Sequence, residues 1–245
     1  MEIARIFAAM KKIFTILCLL LWGNLGYGQV LISLLLGDKL NSDKLEFGLD
    51  GGISYVDLGG ISQAKSNGTF NLGFYFDLKL KNPTWMVHTG VIVKSTMGAK
   101  HLDVYPLNNP DLDAAFSGGT VERRLSYFDV PILIKHRFKN KFTIEAGPMV
   151  GLLTKSFDVF TQKVKDKDDL TYKLNVKDAY HPLDAGLMIG LGYRLMGGRG
   201  MNLGIRYYYG LVDIMIDDTA PNVYNRALYL AFGIPIGGVK TAPNE

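Results

Sequence analysis

Cysteine is nearly absent. The chain has 245 residues and a single cysteine, Cys18, which sits inside an apolar run near the N-terminus. Its spacing excludes a zinc ribbon, a disulfide framework and a dithiol redox motif. A lipoprotein acceptor would want a small residue just ahead of the cysteine, and Ile16-Leu17 supplies none. Long hydrophobic runs are missing too. After residue 28 the most apolar stretch, 30–36, is seven residues long, against about 18–20 for a membrane-spanning helix. Basic clusters are also lacking. A formal net charge of +4 with no Lys/Arg block excludes a nucleic-acid footprint. Gly-x-Ser-x-Gly, His-Glu-x-x-His and a phosphate-cradling loop are all absent.

The N-terminus reads as an export signal. Lys11 and Lys12 precede the apolar run 13–22, and the small residues of Gly23-Asn-Leu-Gly-Tyr-Gly28 follow. That is a basic region, a short apolar region and a cleavage site, giving a signal peptide over 1–28. Met10-Lys11-Lys12 would itself make a conventional start. Cleavage after Gly28 removes Cys18 with Glu2, Arg5, Lys11 and Lys12. The 27 basic and 23 acidic residues then become 24 and 22, a net of +2, and the mature chain has no thiol.

What is present is glycine, aromatics and alternation: 28 Gly, 13 Tyr and 13 Phe. In 126–138 one parity reads Phe128, Val130, Ile132, Ile134, Phe138, broken only by His136. The other reads Tyr127, Asp129, Pro131, Leu133, Lys135, Arg137. Successive strand side chains face opposite ways, so this segment has one greasy and one mostly polar face. Pro131 removes a ladder donor and should mark a bulge. The pattern recurs at about 45–56, 69–80, 85–95, 121–138, 141–153, 182–195, 201–212 and 227–236. Connections alternate long and short, with loops at 57–68, 96–120, 154–180 and 213–226 and tight turns at 81–84, 139–140 and 196–200. Even strand number with alternating loop lengths predicts an all-β fold. It is an eight-stranded antiparallel up-and-down transmembrane β-barrel in the outer membrane of a Gram-negative bacterium. Closure leaves no edge for lipid to satisfy. A soluble lipocalin-like barrel would face the other way, polar out. Residues 29–44 are expected as a periplasmic lead-in, 45–236 as the barrel and 237–245 as a tail. Trp85 is expected at the bilayer interface.

The inward parity carries charge. Its acids are Glu46, Asp50, Asp77, Asp129, Glu145 and Asp184; its bases are Lys79, Lys94, Arg123, Lys135, Arg194 and Arg206. The interior of an eight-stranded barrel is just filled by side chains, and buried charges persist when paired. Equal numbers predict a closed, salt-bridged lumen. Asp50, Asp129, Lys135, Glu145, Asp184, Arg194 and Arg206 are its expected network; the alternative is a narrow or gated path. His88 is expected as a hydrogen-bonded lumen residue, Tyr208 as part of the network next to Arg206, and His136 at the interface. His101 and His181 lie in or beside outer loops near Asp103 and Asp184. Asp166-Lys-Asp-Asp169 lacks the glycine and spaced glutamate of a calcium loop and reads as a solvated charge run. No cofactor or metal is expected. The partners expected are outer-membrane lipid and other envelope or secretion proteins, with no nucleic acid.

Four segments carry a resemblance: Tyr127-Phe-Asp-Val-Pro-Ile-Leu-Ile-Lys135, Glu145-Ala-Gly-Pro-Met-Val-Gly-Leu-Leu153, Asp184-Ala-Gly-Leu-Met-Ile-Gly-Leu-Gly-Tyr193 and Arg206-Tyr-Tyr-Tyr-Gly-Leu211. In this order they resemble the PorT-like outer-membrane β-barrel family over about 45–236. The family often ends on an aromatic strand residue, whereas this chain runs on past Ile236. The resemblance implies a barrel whose founding member belongs to a protein secretion system. It transfers no site residue. Three functions follow as expectations: a non-enzymatic structural or interaction barrel, a secretion or transport component, and a lipid-modifying enzyme built on loop histidines.

Overall fold

The computed structural model describes residues 42–61, 64–165, 168–196, 200–217 and 221–236. The signal peptide at 1–28, most of the 29–44 lead-in and the tail at 237–245 lie outside them. Among the described residues there are nine strands: β1 (Leu45–Gly59), β2 (Asn67–Lys79), β3 (Trp85–Leu102), β4 (Thr120–Arg137), β5 (Phe142–Lys165), β6 (Asp168–Asn175), β7 (Leu183–Arg194), β8 (Asn202–Gly210) and β9 (Tyr224–Pro235). All pairings are antiparallel. Eight strands close a ring in the order β1-β2-β3-β4-β5-β7-β8-β9, because β4 pairs with β5 and β9 with β1. The ninth strand, β6, hangs outside the ring on the upper half of β5.

One end carries the tight connections. In the β2–β3 turn Asn82 Oδ1 accepts from the Thr84 amide at 3.1 Å. In the β4–β5 turn Lys141 adopts φ 71° and its amide donates to Phe138 O at 3.0 Å. Short turns face the periplasm in barrels of this kind. The greasy parity points outward. On β4, Ile132 and Ile134 are about half exposed at 50% and 49%, while Asp129, Leu133 and Lys135 between them expose 3% or less. That asymmetry requires lipid as the solvent of the outer face, since water would reward the reverse. Aromatics border this face. Trp85 packs on His136 with ring centres 4.4 Å apart, and His136 on Phe138 at 4.6 Å. At the other border the Arg226 guanidinium lies 3.6 Å from the centre of the Tyr209 ring.

The outer half departs from expectation. Residues 96–120 and 154–180 are loops only in part. β3 runs on to Leu102, and β5 continues to Lys165 and returns as β6. The alternation in Ser156-Phe-Asp-Val-Phe160 continues β5, and the described part of the charge run beyond it pairs Lys163 with Asp169 and Lys165 with Asp168. A short helix, α1 (Pro110–Ala115), is capped by Asn109, whose side chain accepts from the amides of Asp111 and Leu112. Above the lipid band the extensions of β3–β6 and α1 form a platform with an aromatic core. Phe160 lies 5.0 Å from Tyr105 and 5.9 Å from Phe116, centre to centre.

Candidate functional site

The inward face of the ring divides into layers. In the periplasmic half lies a closed circuit of charges. Arg206 on β8 donates to Asp50 on β1 and to Glu145 on β5. Its Nη2 donates to His88 Nε2 at 3.1 Å. His88 Nδ1 faces Asp77 Oδ1 at 2.6 Å; these partners assign the proton to Nδ1. Lys135 Nζ donates to Asp77 Oδ2 at 2.9 Å and stands 3.9 Å from Glu145 Oε2, which completes the circuit. Six of the eight ring strands meet here: β1, β2, β3, β4, β5 and β8. Nearer the periplasm, Glu46 Oε1 accepts from Arg194 Nη1 at 2.6 Å and from Tyr75 OH at 2.9 Å. Arg137 on β4 lies close enough to Arg194 for the two charges to repel. This half therefore holds Glu46, Asp50, Asp77 and Glu145 against Lys135, Arg137, Arg194 and Arg206.

The next layer outward holds Asp129 and Asp184 with Tyr127, Tyr208, Tyr229, Asn225 and Ser95, all buried. Asp184 Oδ2 accepts from Asn225 Nδ2 at 2.8 Å. Among the described residues, no Lys, Arg or His forms a salt bridge with either aspartate. Beyond it the lumen is apolar: Val56, Leu58, Leu125, Leu153, Ile214 and Val223 join the core of the platform. Over that core Arg123 on β4 forms a two-point pair with Asp158 on β5, Nε–Oδ1 2.9 Å and Nη2–Oδ2 2.6 Å. Burial there disfavours the Arg123 charge, but Asp158, Tyr180 and Tyr105 outweigh it and hold its pKa above the ordinary value. Burial and the Asp158 carboxylate push the Tyr105 phenol up, so it remains a donor to Asp158 at 2.8 Å.

The expected seven-residue network is therefore split. Asp50, Lys135, Glu145 and Arg206 are brought together; Arg194 lies one step below with Glu46, and Asp129 and Asp184 are apart. The equal count of six acids and six bases does not survive placement. Lys94 points outward, 5.4 Å from the centre of the Phe70 ring, because the ladder shifts between Ile92 and Ser95 and flips the parity. Lys79 reaches the backbone oxygen of Asp43 at the barrel mouth, and Arg123 belongs to the platform. Arg137 takes a place that the count omitted. His88, Asp77 and Tyr75 are central to the ionic half; inward parity was the one sequence signal that marked them. Pro131 sits inward in unbroken register with β5, and the irregularity of the β4–β5 ladder falls instead opposite Ser126/Tyr127, where the extra residue is Thr154 on β5. His101 and His181 are exposed, whereas Asp184, the acid nearest His181 in sequence, is buried in the lumen. Among the described residues no three His, Cys, Asp or Glu converge to hold a metal.

A family model described as the outer membrane protein beta-barrel domain matches residues 38–215. The chain belongs to that family. Its localisation is the outer membrane, and the lumen layers above are the interior of a transmembrane barrel. Among solved structures the barrel is similar to Ail, the attachment invasion locus protein of Yersinia pestis. Identity is 12%, covering 79% of this chain and 99% of that one, with a TM-score of 0.43. It is also similar to Neisserial surface protein A at 10% identity, covering 77% and 96%, TM-score 0.39. OprG from Pseudomonas aeruginosa follows at 14% identity, covering 78% and 93%, TM-score 0.33. No curated protein sequence matches the chain.

Proposed function

We propose that this is a non-enzymatic barrel of the PorT-like kind that acts as a structural and interaction protein of the cell envelope. Its lumen serves to hold the ring closed, and its outer platform meets partners. The observation that carries this reading is the filled interior. Arg194, Tyr208, Leu125 and Phe160, from four strands, are each 1% exposed or less. The cavity lined by Asp50, His88, Glu145 and Arg206 has a volume of about 20 Å3, enough for a water rather than a substrate. The platform offers what the lumen does not. Among the described residues β6 pairs only with β5, so its other edge presents backbone donors and acceptors to a partner strand.

Planar-bilayer recording of the refolded protein tests the closed lumen. No steady single-channel steps are expected, and reproducible steps would overturn the reading. For the platform, a variant lacking residues 163–169 should keep its heat-modifiable gel migration and lose an envelope partner that the full chain co-purifies. Retention of that partner would move the contact elsewhere.

A further inference from the structure

The acidic layer contains a constellation that a filled, structural lumen does not need. Asp129 on β4 and Asp184 on β7 are both in register with one residue of the strand between them, Gly151 on β5. With no side chain at 151, the Asp129 carboxylate lies across β5: a Cβ there would stand 2.5 Å from Asp129 Oδ1. The two aspartates are 1% and 2% exposed. Six oxygens of this layer are buried without a well-formed hydrogen bond: Asp129 Oδ2, Asp184 Oδ1, Asn225 Oδ1 and the hydroxyls of Tyr127, Tyr208 and Tyr229. They come from β4, β7, β8 and β9. They also face one another. Looser side-chain hydrogen bonds join Tyr208 to Asp184, Tyr127 to Asn225 and Ser95 to both Asp129 and Tyr229, and Asp129 feels the charge of Asp184. The bond from Asn225 Nδ2 to Asp184 turns the amide so that its oxygen is the free end.

Two carboxylates inside a membrane-embedded lumen call for a partner, and buried oxygens that have only loose bonds to one another call for an ion or water. We propose that this layer is a cation site, with Asp129, Asp184 and Asn225 as the principal ligands and the tyrosine hydroxyls as supplementary ones. Its occupant is a hard divalent cation. The donors are all oxygen, without nitrogen or sulfur, which selects against zinc and copper. Two negative charges match a divalent ion. Mixed carboxylate, amide and hydroxyl oxygens in an irregular set suit calcium, which accepts six to eight ligands, better than magnesium, which demands a near-ideal octahedron. Two carboxylates form no Asp/Glu/His cluster, so the site has no sequence motif. Burial on all sides means that the ion enters while the ring is closing.

The test is refolding of the full chain into detergent micelles with terbium as the calcium probe. Three buried tyrosines at the site should sensitise terbium emission, and excess calcium present during refolding should compete it away. Asp129→Asn/Asp184→Asn should lower the emission at least fivefold, and Tyr208→Phe should weaken it. In wild type, calcium at about a hundred times its Kd should raise the thermal midpoint of the gel-mobility shift by roughly 5 °C over EDTA. Protein refolded with calcium and washed with EDTA should retain about one calcium per chain by mass spectrometry, a readout that needs no variant. Equal midpoints in calcium and EDTA with no retained metal would overturn the proposal and leave a shared proton or bound water in the layer. Emission undiminished in the double Asn variant would also overturn it, by placing the ion elsewhere. None of these outcomes bears on whether the lumen conducts, so the proposal stands or falls apart from the function proposed above.

Discussion

The two polar layers of the lumen solve one problem by different means. In the periplasmic half each carboxylate meets a cation or a histidine from another strand, and the circuit through Arg206, Glu145, Lys135, Asp77 and His88 ties non-neighbouring strands together. In the next half Asp129 and Asp184 face tyrosines and an asparagine. In the first layer every carboxylate has a charged or imidazole partner, and the buried atoms left without a hydrogen bond are mostly guanidinium nitrogens of Arg137 and Arg194; the second is built around two carboxylates with no salt bridge among the described residues. Buried ion pairs add little net stability over apolar substitutes, but removing one member leaves an uncompensated charge. The ionic layer should therefore be intolerant of single changes, and the acidic layer sensitive to what is in solution.

Six substitutions sharpen or break that contrast. The largest effect is expected from Arg206→Met, which abandons Asp50 and Glu145 together. The cost should be about 3–5 kcal/mol, read from the urea midpoint of the folded gel band, and a cost under about 1 kcal/mol would dissolve the circuit as a structural unit. Next comes Gly190→Ala. Its Cβ would stand 2.9 Å from Glu145 Cγ and 3.0 Å from Arg206 Cγ, side chains pinned by the circuit, so roughly 1–3 kcal/mol is expected from overpacking. Gly151→Ala meets the less tethered Asp129 and should cost less in EDTA while abolishing any calcium response. Asp129→Asn measured in EDTA should be neutral or stabilising by up to about 1 kcal/mol, whereas Asp50→Asn weakens a charge-assisted bond and should cost about 1.5–3 kcal/mol. Equal losses for the two would erase the distinction between the layers. Smallest of all, Lys94→Gln on the outer face should stay within about 0.5 kcal/mol. A larger loss would return that lysine to the lumen.

Much of the barrel was legible in the sequence because a strand's facing is a local property. Period-two alternation marked all eight ring strands, the tight turn at Lys139-Asn140 and the outward face of Ile132 and Ile134. It failed where local rules break. The bulge between Ile92 and Ser95 turned Lys94 outward. The charge run 163–169 masked the continuation of β5, since a polar composition reads as loop even when aromatic and β-branched residues still alternate ahead of it. Counting acids and bases on one parity told that the lumen is charged but not which charge meets which. Tyr75, Asp77 and His88 share with Arg137 the fact that nothing in their own segments announces a partner.

The chain's own residue pattern determined the all-β class, the number of ring strands and the side turned to lipid, because each follows from which way successive side chains point. The sorting of the lumen into a balanced half and an acidic half belongs to the tertiary structure alone. Strands far apart in the chain are staggered against one another as the ring closes, and only that stagger sets Arg206 beside Asp50 and Glu145 while leaving Asp129 and Asp184 in register on either side of Gly151.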